Sequence, residues 1–485
     1  MARLRQHLLN WLASLLVFFT ALLITVILSL DLNSYRPRLE QALTQALGAR
    51  VAINGDLGLA LKPDIALTIE GLSIGPASQE IASVEQLSVF MALLPLLRRE
   101  IEIESIDLVR GTLNLNAEHF PMVPADLSAP AKEIPEQDRW HWKLTQAASL
   151  HIRHGQLSYT NVEPSWTISL DDFDLRLKTR ELSPTILQQQ GVDALNIKGS
   201  LRSHTLVSPW ASLKQAETDV SLIGRDLSFD GIRAQVFGAK TEANAHIAFL
   251  PRDTIYNLDF HLKDLEAAQS INRLAREGLV EGEMQLRTKL RWQGSSSRAM
   301  ISSLNGTVSL HGEKLKLNKI DLDKSIEAFE KSQHFNLVDL GAYFFMGPMG
   351  TVATKGFSFA KLGASFNGGS SHISRLNSDW VIENGVARAD DVAFSTQRNL
   401  LAVQGHLDLV QARYEGITFA IVDTNGCARF SQEVSGPLSR PVVEAPRKLS
   451  LITAPVREVL EIPRKLLGSD KCKPFYRGSL SHPNA

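Results

Sequence analysis

Apolar and polar residues alternate along most of the chain after residue 50, and this period of two predicts β-strands. The leucines of LGLAL (57–61) share one face of the first clear strand, and the apolar residues of IALTI (65–69) share one face of the next. The pattern recurs in roughly twenty or more short segments separated by turn residues, as in all-β proteins. A sheet with so many strands closes, splits or curls. Since no layer of helices is evident to cover its apolar face, the pattern favours an open groove.

Residues 8–30, LLNWLASLLVFFTALLITVILSL, differ from this pattern because they form one apolar run without a charged residue. A helix of this length crosses a hydrocarbon core of ~30 Å. The run is also longer than the ~7–15 apolar residues of a cleaved signal peptide. Because Arg3 and Arg5 precede it, we predict that residues 1–7 are cytoplasmic, that residues 8–30 are a transmembrane signal anchor, and that the remaining chain is exported.

The exported part divides by pattern and proline content. A short helix containing Leu39 and Leu43 ends at Gly48, the usual position of a left-handed cap. Residues 306–312 and 315–317 predict the two arms of a hairpin. The predicted segments are this helix with the first groove strands (31–119), a Pro-rich linker or insertion (120–139), the middle of the β-groove (140–320), a helical insertion (321–346), a C-terminal β region (347–443) and a helical tail (444–485).

Charge and cysteine content narrow the function classes. The 51 basic and 52 acidic residues nearly cancel, so nucleic acid is not a predicted partner. The sequence has no nucleophile elbow, zinc-protease motif or phosphate-binding loop, so we predict a protein that is not an enzyme and has no catalytic residue, metal or cofactor. Cys427 and Cys472 in an exported chain predict one disulfide, and a catalytic thiol or metal pair is the less favoured alternative.

Several motifs resemble the AsmA family. After the apolar run come a Y-x-P-x-L helix (35–39), V-x-I-x-G-x-L (51–57) and L-L-P-L-L-x-x-E-I-x-I (93–103). Near the other end, SDWVIENGVARADDVAF (378–394) and VQGHLDL (403–409) resemble the family's C-terminal repeat region. Gly426-Cys427 and CKPFYRG (472–478) resemble the ending of AsmA proteins.

This resemblance implies a fold and a cellular place. The implied fold class is mostly β: one N-terminal transmembrane helix, then a long curled antiparallel sheet that forms an AsmA- or chorein-like apolar groove with short capping helices. The implied location is the inner membrane of a Gram-negative cell, with the N-terminus in the cytoplasm and most of the chain in the periplasm. Phospholipids and the inner membrane are the implied partners, and an outer-membrane or periplasmic protein partner fits as well.

Two function classes follow. The leading expectation is a conduit that shields phospholipid acyl chains between the inner and outer membranes and supports outer-membrane biogenesis. The alternative is a non-catalytic envelope scaffold or assembly factor that acts through protein contacts. The aliphatic residues expected to line the groove are Leu57, Leu59, Leu61, Ile65, Leu67, Ile69, Ile101, Ile103, Leu113, Leu115, Val308, Leu310, Leu315 and Leu317.

Overall fold

The protein is almost entirely β-structure in the part that the structure describes. It divides into two compact units, the first formed by residues 1–209 with 219–225 and the second by residues 210–218 with 226–485. The computed structural model describes residues 32–62, 64–76, 80–92, 95, 100–116, 141–161, 165–180, 182–209, 211–251, 253–266, 280–318, 321–332, 368–445, 447–448 and 472–485.

The first unit contains two α-helices, two 3₁₀ turns and the strands up to β8. Leu32–Tyr35 and Gly191–Ala194 are 3₁₀ turns. The helices are α1 (Arg36–Leu47) and α2 (Pro184–Gln190). The strands are β1 (Val51–Ile53), β2 (Leu57–Lys62), β3 (Asp64–Ile74), β4 (Ala82–Met91), β5 (Glu100–Asn116), β6 (His141–Asn161), β7 (Trp166–Thr179) and β8 (Asn196–Val207).

Strand β9 (Ser212–Ile223) is shared between the units: residues 212–218 belong to the second unit and residues 219–223 to the first. The helices of the second unit are α3 (Ser297–Ser302) and α4 (Leu322–Ser332). Its remaining strands are β10 (Asp226–Val236), β11 (Ala239–Phe249), β12 (Thr254–Glu266), β13 (Val280–Gln293), β14 (Asn305–Asn318), β15 (Ser370–Glu383), β16 (Val386–Ser395), β17 (Leu400–Asp408), β18 (Arg413–Val422), β19 (Ala428–Pro437), β20 (Val442–Val443) and β21 (Arg447–Lys448).

Strands pair mainly with their neighbours in sequence. In the first unit β1 and β2 both pair with β3, and from β3 to β8 each strand pairs with the next. The β5–β6 pair is parallel, which corrects the expectation of an antiparallel sheet throughout. A parallel pair requires a connection of about a dozen residues or more. Residues 117–140, which contain the predicted linker, provide that length.

The strands are longer than the sequence pattern predicted, because β-bulges change the alternation without ending a strand. Residues 150–152 and 157–159 lie in one strand, β6, on either side of a bulge at His154. Likewise, residues 306–312 and 315–317 do not form a hairpin: both lie in β14, where the backbone of Lys314 is left-handed (φ 52°). In β14 the bulge adds one residue, so the inward side chains move from even positions to odd positions. In the sequence this change of alternation resembles a turn.

Helix α1 covers the free edge and the apolar face at the start of the first unit. Leu39 and Leu43 pack on a cluster that includes buried Val51 and Ile53. Gly48 caps the helix as predicted, with φ 67° and its N–H donating to the carbonyl of Thr44. Polar side chains of the same segment accept hydrogen bonds from three edge amides: those of Val51 to Thr44 Oγ1 (3.0 Å), Ile53 to Glu40 Oε1 (2.7 Å) and Leu57 to Asn33 Oδ1 (3.1 Å).

The second unit contains a closed core. Two side chains of α4, Leu322 and Ile326, are 0 % and 1 % exposed and pack among the inward residues of β13 to β19. Trp380 fills part of this core and donates its indole N–H to Ser378 Oγ at 2.9 Å. The predicted helical insertion at 321–346 therefore begins with a helix, while residues 333–346 lie outside the described residues.

The C-terminal segment, residues 472–485, covers the opposite face of β16 to β18. Tyr476 and Leu480 are buried against Leu400 and Val422. The predicted disulfide joins Cys427 to Cys472, with 6.1 Å between their Cα atoms. Residues 472–485, which were predicted to belong to a helical tail, contain no helix. Residues 449–471 of that predicted tail lie outside the described residues.

Asp391 holds the C-terminal segment by hydrogen bonds. Its carboxylate accepts from the hydroxyl of Tyr476, from the backbone N–H of Ser479 (3.1 Å) and from Ser479 Oγ (2.6 Å). The side-chain amide of Asn377 donates to Asp391 Oδ2 at 3.2 Å and to Ser479 Oγ at 2.8 Å. Burial raises the pKa of Asp391, but the hydrogen bonds outweigh it, so the net pKa is lowered.

Among the described residues, no helix is both long and apolar enough to cross a membrane. The predicted cytoplasmic segment at 1–7 and the predicted anchor at 8–30 lie outside the described residues.

Candidate functional site

An apolar face extends across the first unit from β3 to β8. Directly paired residues of neighbouring strands point to the same face, so the strand register shows which side chains form continuous rows. Two adjacent rows lie on one side of the bulges. The first contains Ile69, Leu87, Leu108, Ile152, Leu175 and Leu201, and the second contains Leu67, Val89, Ile106, Leu150 and Leu177.

A further set of rows lies on the other side of the bulges. Here the inward residues of β5 and β6 have odd numbers, because the bulges at Arg110 and His154 have shifted the alternation. The rows contain Ile74, Ala82, Leu113, Leu157, Leu170 and Leu206, followed by Leu115, Tyr159 and Ile168.

These rows are aliphatic and partly exposed. Between β4 and β8 the large aliphatic side chains of both sets are neither fully buried nor fully exposed. A monomeric protein seldom presents a continuous apolar surface larger than a few hundred Å², and such surfaces usually bind something. The rows therefore form the candidate functional site, which we call the apolar face.

A middle row separates the two sets and differs from them in composition. It contains Gly111 on β5, Gly155 on β6, Phe173 on β7 and Ser203 on β8. The phenyl ring of Phe173 lies over Gly155, where an added Cβ would be 2.5 Å from the ring Cζ. At Gly111 an added Cβ would meet its nearest atoms at 3.9 Å, an ordinary van der Waals distance, so a methyl group fits there.

The bulges that create the middle row are stabilised from the polar side of the strands. The backbones of Arg110, His154 and Asp172 are left-handed, with φ of 51°, 55° and 48°. Arg110 Nη1 donates to both carboxylate oxygens of Glu85, at 2.6 and 2.9 Å, and His154 Nδ1 lies 2.8 Å from Asp172 Oδ1. Consecutive strands thus carry a bulge at the same level, and each bulge bends its strand.

The structure places thirteen of the fourteen predicted groove residues in three settings. Leu57, Ile65 and Ile69 are buried, and α1 packs over the cluster that contains Leu57 and Ile69. The side chain of Leu61 lies outside the described residues. The predicted residues that are partly exposed on the apolar face are Leu59, Leu67, Ile101, Ile103, Leu113 and Leu115.

The other four predicted residues lie in the second unit and are not on an exposed face. Val308 and Leu310 are 7 % and 5 % exposed, and Leu315 and Leu317 are 0 % exposed. All four belong to the closed core that α4 and Trp380 help to fill. Their alternation resembles that of the first unit, but helix α4 covers this part of the sheet.

Sequence reasoning missed most of the apolar face. Residues 140–320 were predicted to form the middle of the β-groove, but residues on β6 to β8 such as Leu150, Ile152 and Leu175 were not among the predicted lining residues. The middle row was not predicted. A usable signal exists, since two apolar-alternating runs of opposite parity separated by four residues mark a bulge on both β5 and β6.

The described part of the chain is thus mostly β, and its first unit presents a continuous aliphatic face beside a capping helix. This defines a class of protein in which an open sheet displays an apolar surface. The model of the AsmA family matches residues 1–206. This match covers β1 to β7 and β8 up to Leu206, and it confirms the resemblance predicted from residues 31–115. A search of curated proteins returns no match to this chain.

Proposed function

We propose that this protein binds phospholipid acyl chains on the apolar face of its first unit and shields them from water as lipid moves between the inner and outer membranes. The observation that carries this proposal is the continuity of partly exposed aliphatic rows from β4 to β8. The AsmA family match over the same residues supports an envelope role. The function needs no catalytic residue, and we propose that the protein is not an enzyme.

The size of the barrier explains the need for such a surface. Exposing one methylene group to water costs ~0.8 kcal/mol, so transferring two sixteen-carbon acyl chains through water costs up to ~25 kcal/mol. A barrier of that size slows spontaneous transfer to a time on the order of days. A continuous aliphatic surface lowers the barrier by replacing the contacts that the chains lose when they leave the bilayer.

The proposed location follows from the predicted anchor. Residues 8–30 would hold the chain in the inner membrane, with residues 1–7 in the cytoplasm and the β units in the periplasm. Helix α1 begins at Arg36, a few residues after this predicted anchor, so the apolar face would start close to the membrane surface.

Lipid binding by the full-length protein tests the proposal. We would purify the wild type in mild detergent and measure co-purifying phospholipid by native mass spectrometry. Ile152→Asp puts a charge on the apolar face, and Gln156→Asp makes the same charge change at an exposed position of the same strand. We expect lipid in the wild type and in Gln156→Asp, and at least a tenfold loss in Ile152→Asp.

The result that contradicts the proposal is a folded wild type without lipid. The scaffold alternative would then be favoured, and one observation on the second unit already supports it. There both faces of β16 to β18 are covered, one by the closed core and the other by residues 472–485. Such a region suits contacts with other proteins better than contacts with acyl chains.

A further inference from the structure

A groove crosses β10 to β14 on the polar face of the second unit, opposite the closed core. Its volume is about 420 Å³, within the range of ~300–1,000 Å³ that is usual for small-molecule sites. Two rows of directly paired polar side chains form its walls. They are Asn244, Asp259 and Lys289 in one row, and His246, Asn257, Arg291 and Asn305 in the other. We call this cavity the polar groove.

The floor of the polar groove is backbone. Leu290 lies between Lys289 and Arg291 on β13 and packs on the closed core, so the row between the two walls points away from the groove. Gly306 continues this row on β14, where an added Cβ would overlap the carbonyl oxygen of Lys289. Carbon atoms make up most of the groove surface, and the polar atoms stand along its walls.

Two wall amides are held in fixed orientations by bonds that use only one end of each. Asn244 Oδ1 accepts from the backbone N–H of Gly231 at 2.8 Å, which leaves its Nδ2 to donate to a ligand. Asn257 Nδ2 donates to His246 Nδ1 at 3.4 Å, which leaves its Oδ1 to accept from a ligand. His246 is itself held, because its Nε2 lies 3.2 Å from Asp226 Oδ1. Neighbouring strands therefore present an oriented donor beside an oriented acceptor.

The charges of the groove are balanced, but two of them lie apart from each other. Lys289 Nζ pairs with Asp259 Oδ2 at 3.4 Å. Within the part of the chain that the structure describes, the side chains of Asp230 and Arg291 have no ion-pair partner. Three strand spacings of ~4.8 Å, about 14 Å, separate the strands that carry them. The groove thus offers a carboxylate at one end and a guanidinium towards the other.

This arrangement fits one class of ligand better than the alternatives. An acyl chain would leave the wall amides without hydrogen bonds, which costs free energy. A small inorganic anion would find a single unpaired cation, Arg291, and would be repelled by Asp230. A sugar hydroxyl both donates and accepts, so a row of hydroxyls matches adjacent donors and acceptors. The carbon face of a sugar ring can lie on the floor, and a guanidinium binds a carboxylate through two parallel hydrogen bonds.

We infer that the polar groove binds a saccharide that carries one carboxylate. Arg291 binds the carboxylate, Asn244 and Asn257 bind hydroxyl or acetamido groups, and Asp230 accepts a hydrogen bond from a hydroxyl at the other end. Arg291 is the specificity-determining residue in this assignment. This binding is a second function of the protein, and it does not depend on the lipid binding proposed for the first unit.

Two matched pairs of disaccharides, titrated into the full-length protein in mild detergent and followed by calorimetry, test the inference. N-acetylglucosaminyl-N-acetylmuramic acid and N,N′-diacetylchitobiose differ only in the lactyl group that carries the acid. Cellobiouronic acid and cellobiose differ only in the uronate, so the two pairs distinguish the two sources of the acidic group. In at least one pair, we expect the wild type to bind the acidic sugar at least fivefold more tightly, since charged hydrogen bonds are stronger than neutral ones.

Three variants assign the binding to the groove. Arg291→Gln should reduce the preference for the acidic sugar to below twofold and should leave the neutral sugar unaffected. Asn257→Leu should weaken both sugars of the pair at least threefold. Arg287→Gln is the matched control, because Arg287 is exposed on the same strand and the same face but does not line the groove. It should bind as the wild type does, and thermal melting confirms that each variant is folded.

Several results would overturn the inference. They are a wild type that binds neither acidic sugar, equal binding of acidic and neutral sugars, and a folded Arg291→Gln variant that keeps the full preference. An equal loss in Arg287→Gln and Arg291→Gln would also overturn it, because that result indicates general attraction to a basic surface. Co-purifying phospholipid should be the same in Arg291→Gln and the wild type, so failure here is distinguishable from failure of the proposed lipid function.

Discussion

The phenyl ring of Phe173 on β7 occupies the space that a side chain at Gly155 on β6 would need. The two residues pair directly across the strands, beside the bulge at His154. The pair belongs to the middle row of the apolar face, so it links the stability of the first unit to the site proposed for lipid. Its energetic coupling can be measured without any ligand.

Gly155→Ala should destabilise the first unit by roughly 1–3 kcal/mol, because its Cβ would overlap the ring of Phe173. In a Phe173→Ala background the same substitution should cost less than ~0.5 kcal/mol. Urea unfolding of the four proteins of the cycle measures the coupling. Gly111→Ala, in the same row, is the matched control and should change little, because its Cβ would meet its nearest atoms at an ordinary van der Waals distance of 3.9 Å. Equal costs of Gly155→Ala in both backgrounds would contradict the packing described here.

Asp391→Asn should loosen the C-terminal segment by removing a carboxylate that accepts hydrogen bonds from Tyr476, Ser479 and Asn377. The expected loss at pH 7 is roughly 1–3 kcal/mol. Hydrogen bonds lower the pKa of Asp391 in spite of burial. The stabilisation is therefore complete above the unfolded pKa of ~3.9 and disappears as pH falls through the lower folded value.

Thermal unfolding of the wild type and Asp391→Asn between pH 7 and pH 2.5 checks the predicted direction of this pH dependence. The difference in melting temperature should be constant near neutral pH and should shrink in the acid range. A difference that grows as the pH falls would show that the carboxylate is not what holds the segment.

Loss of the disulfide should expose the second face of β16 to β18. The bond joins residues 45 positions apart, and in the chain-entropy model a loop of that size stabilises by roughly 3–4 kcal/mol. In a Cys427→Ser, Cys472→Ser double variant, we expect faster hydrogen exchange in residues 472–485 and at the amides of β17 and β18. Peptides of β4 and β7 in the first unit provide the internal control and should exchange as in the wild type.

The His311–Asp379 pair should contribute stability mainly at acid to neutral pH. The Asp379 carboxylate lies 2.8 Å from His311 Nε2, and this hydrogen bond raises the pKa of His311 although burial opposes it. A raised pKa gives stability that is complete below the unfolded value of ~6.5 and is lost as pH rises through the folded value. Because the imidazole is about half exposed, we expect less than ~1 kcal/mol.

Asp379→Asn should therefore differ from the wild type at pH 5.5 and should approach it above pH 8. Differential scanning calorimetry at these pH values measures the effect. His311→Gln should remove the same pH dependence of stability. The double variant His311→Gln, Asp379→Asn should lose no more stability than the single variants do.

Helix α1 should protect the free edge of the first unit. Glu40 and Thr44 accept hydrogen bonds from the amides of Ile53 and Val51, and each such bond contributes roughly 0.5–1.5 kcal/mol. Glu40→Ala with Thr44→Val should raise hydrogen exchange at these amides and promote concentration-dependent association, because open strand edges pair with other chains. Gln45→Ala, on the exposed side of the same helix, should behave as the wild type.

Much of the architecture was readable from the sequence. Period-two alternation predicted the β-rich character, helical spacing predicted the helix that ends at Gly48, and the two cysteines of an exported chain predicted the disulfide. The motifs between residues 31 and 115 indicated the AsmA family, which the family match confirms. These features depend on local residue order, and local order is what fixes backbone conformation and the polarity of each face.

The tertiary structure decided which apolar residues are available for binding. Leu113 and Leu317 have the same local alternation, yet Leu113 is partly exposed in the first unit and Leu317 is 0 % exposed in a core that helix α4 covers. Similarly, Gly155 and Phe173 are eighteen positions apart, and strand register alone brings them together. Alternation specifies that a side chain lies on the apolar side of a strand. What covers that side depends on contacts between distant parts of the chain.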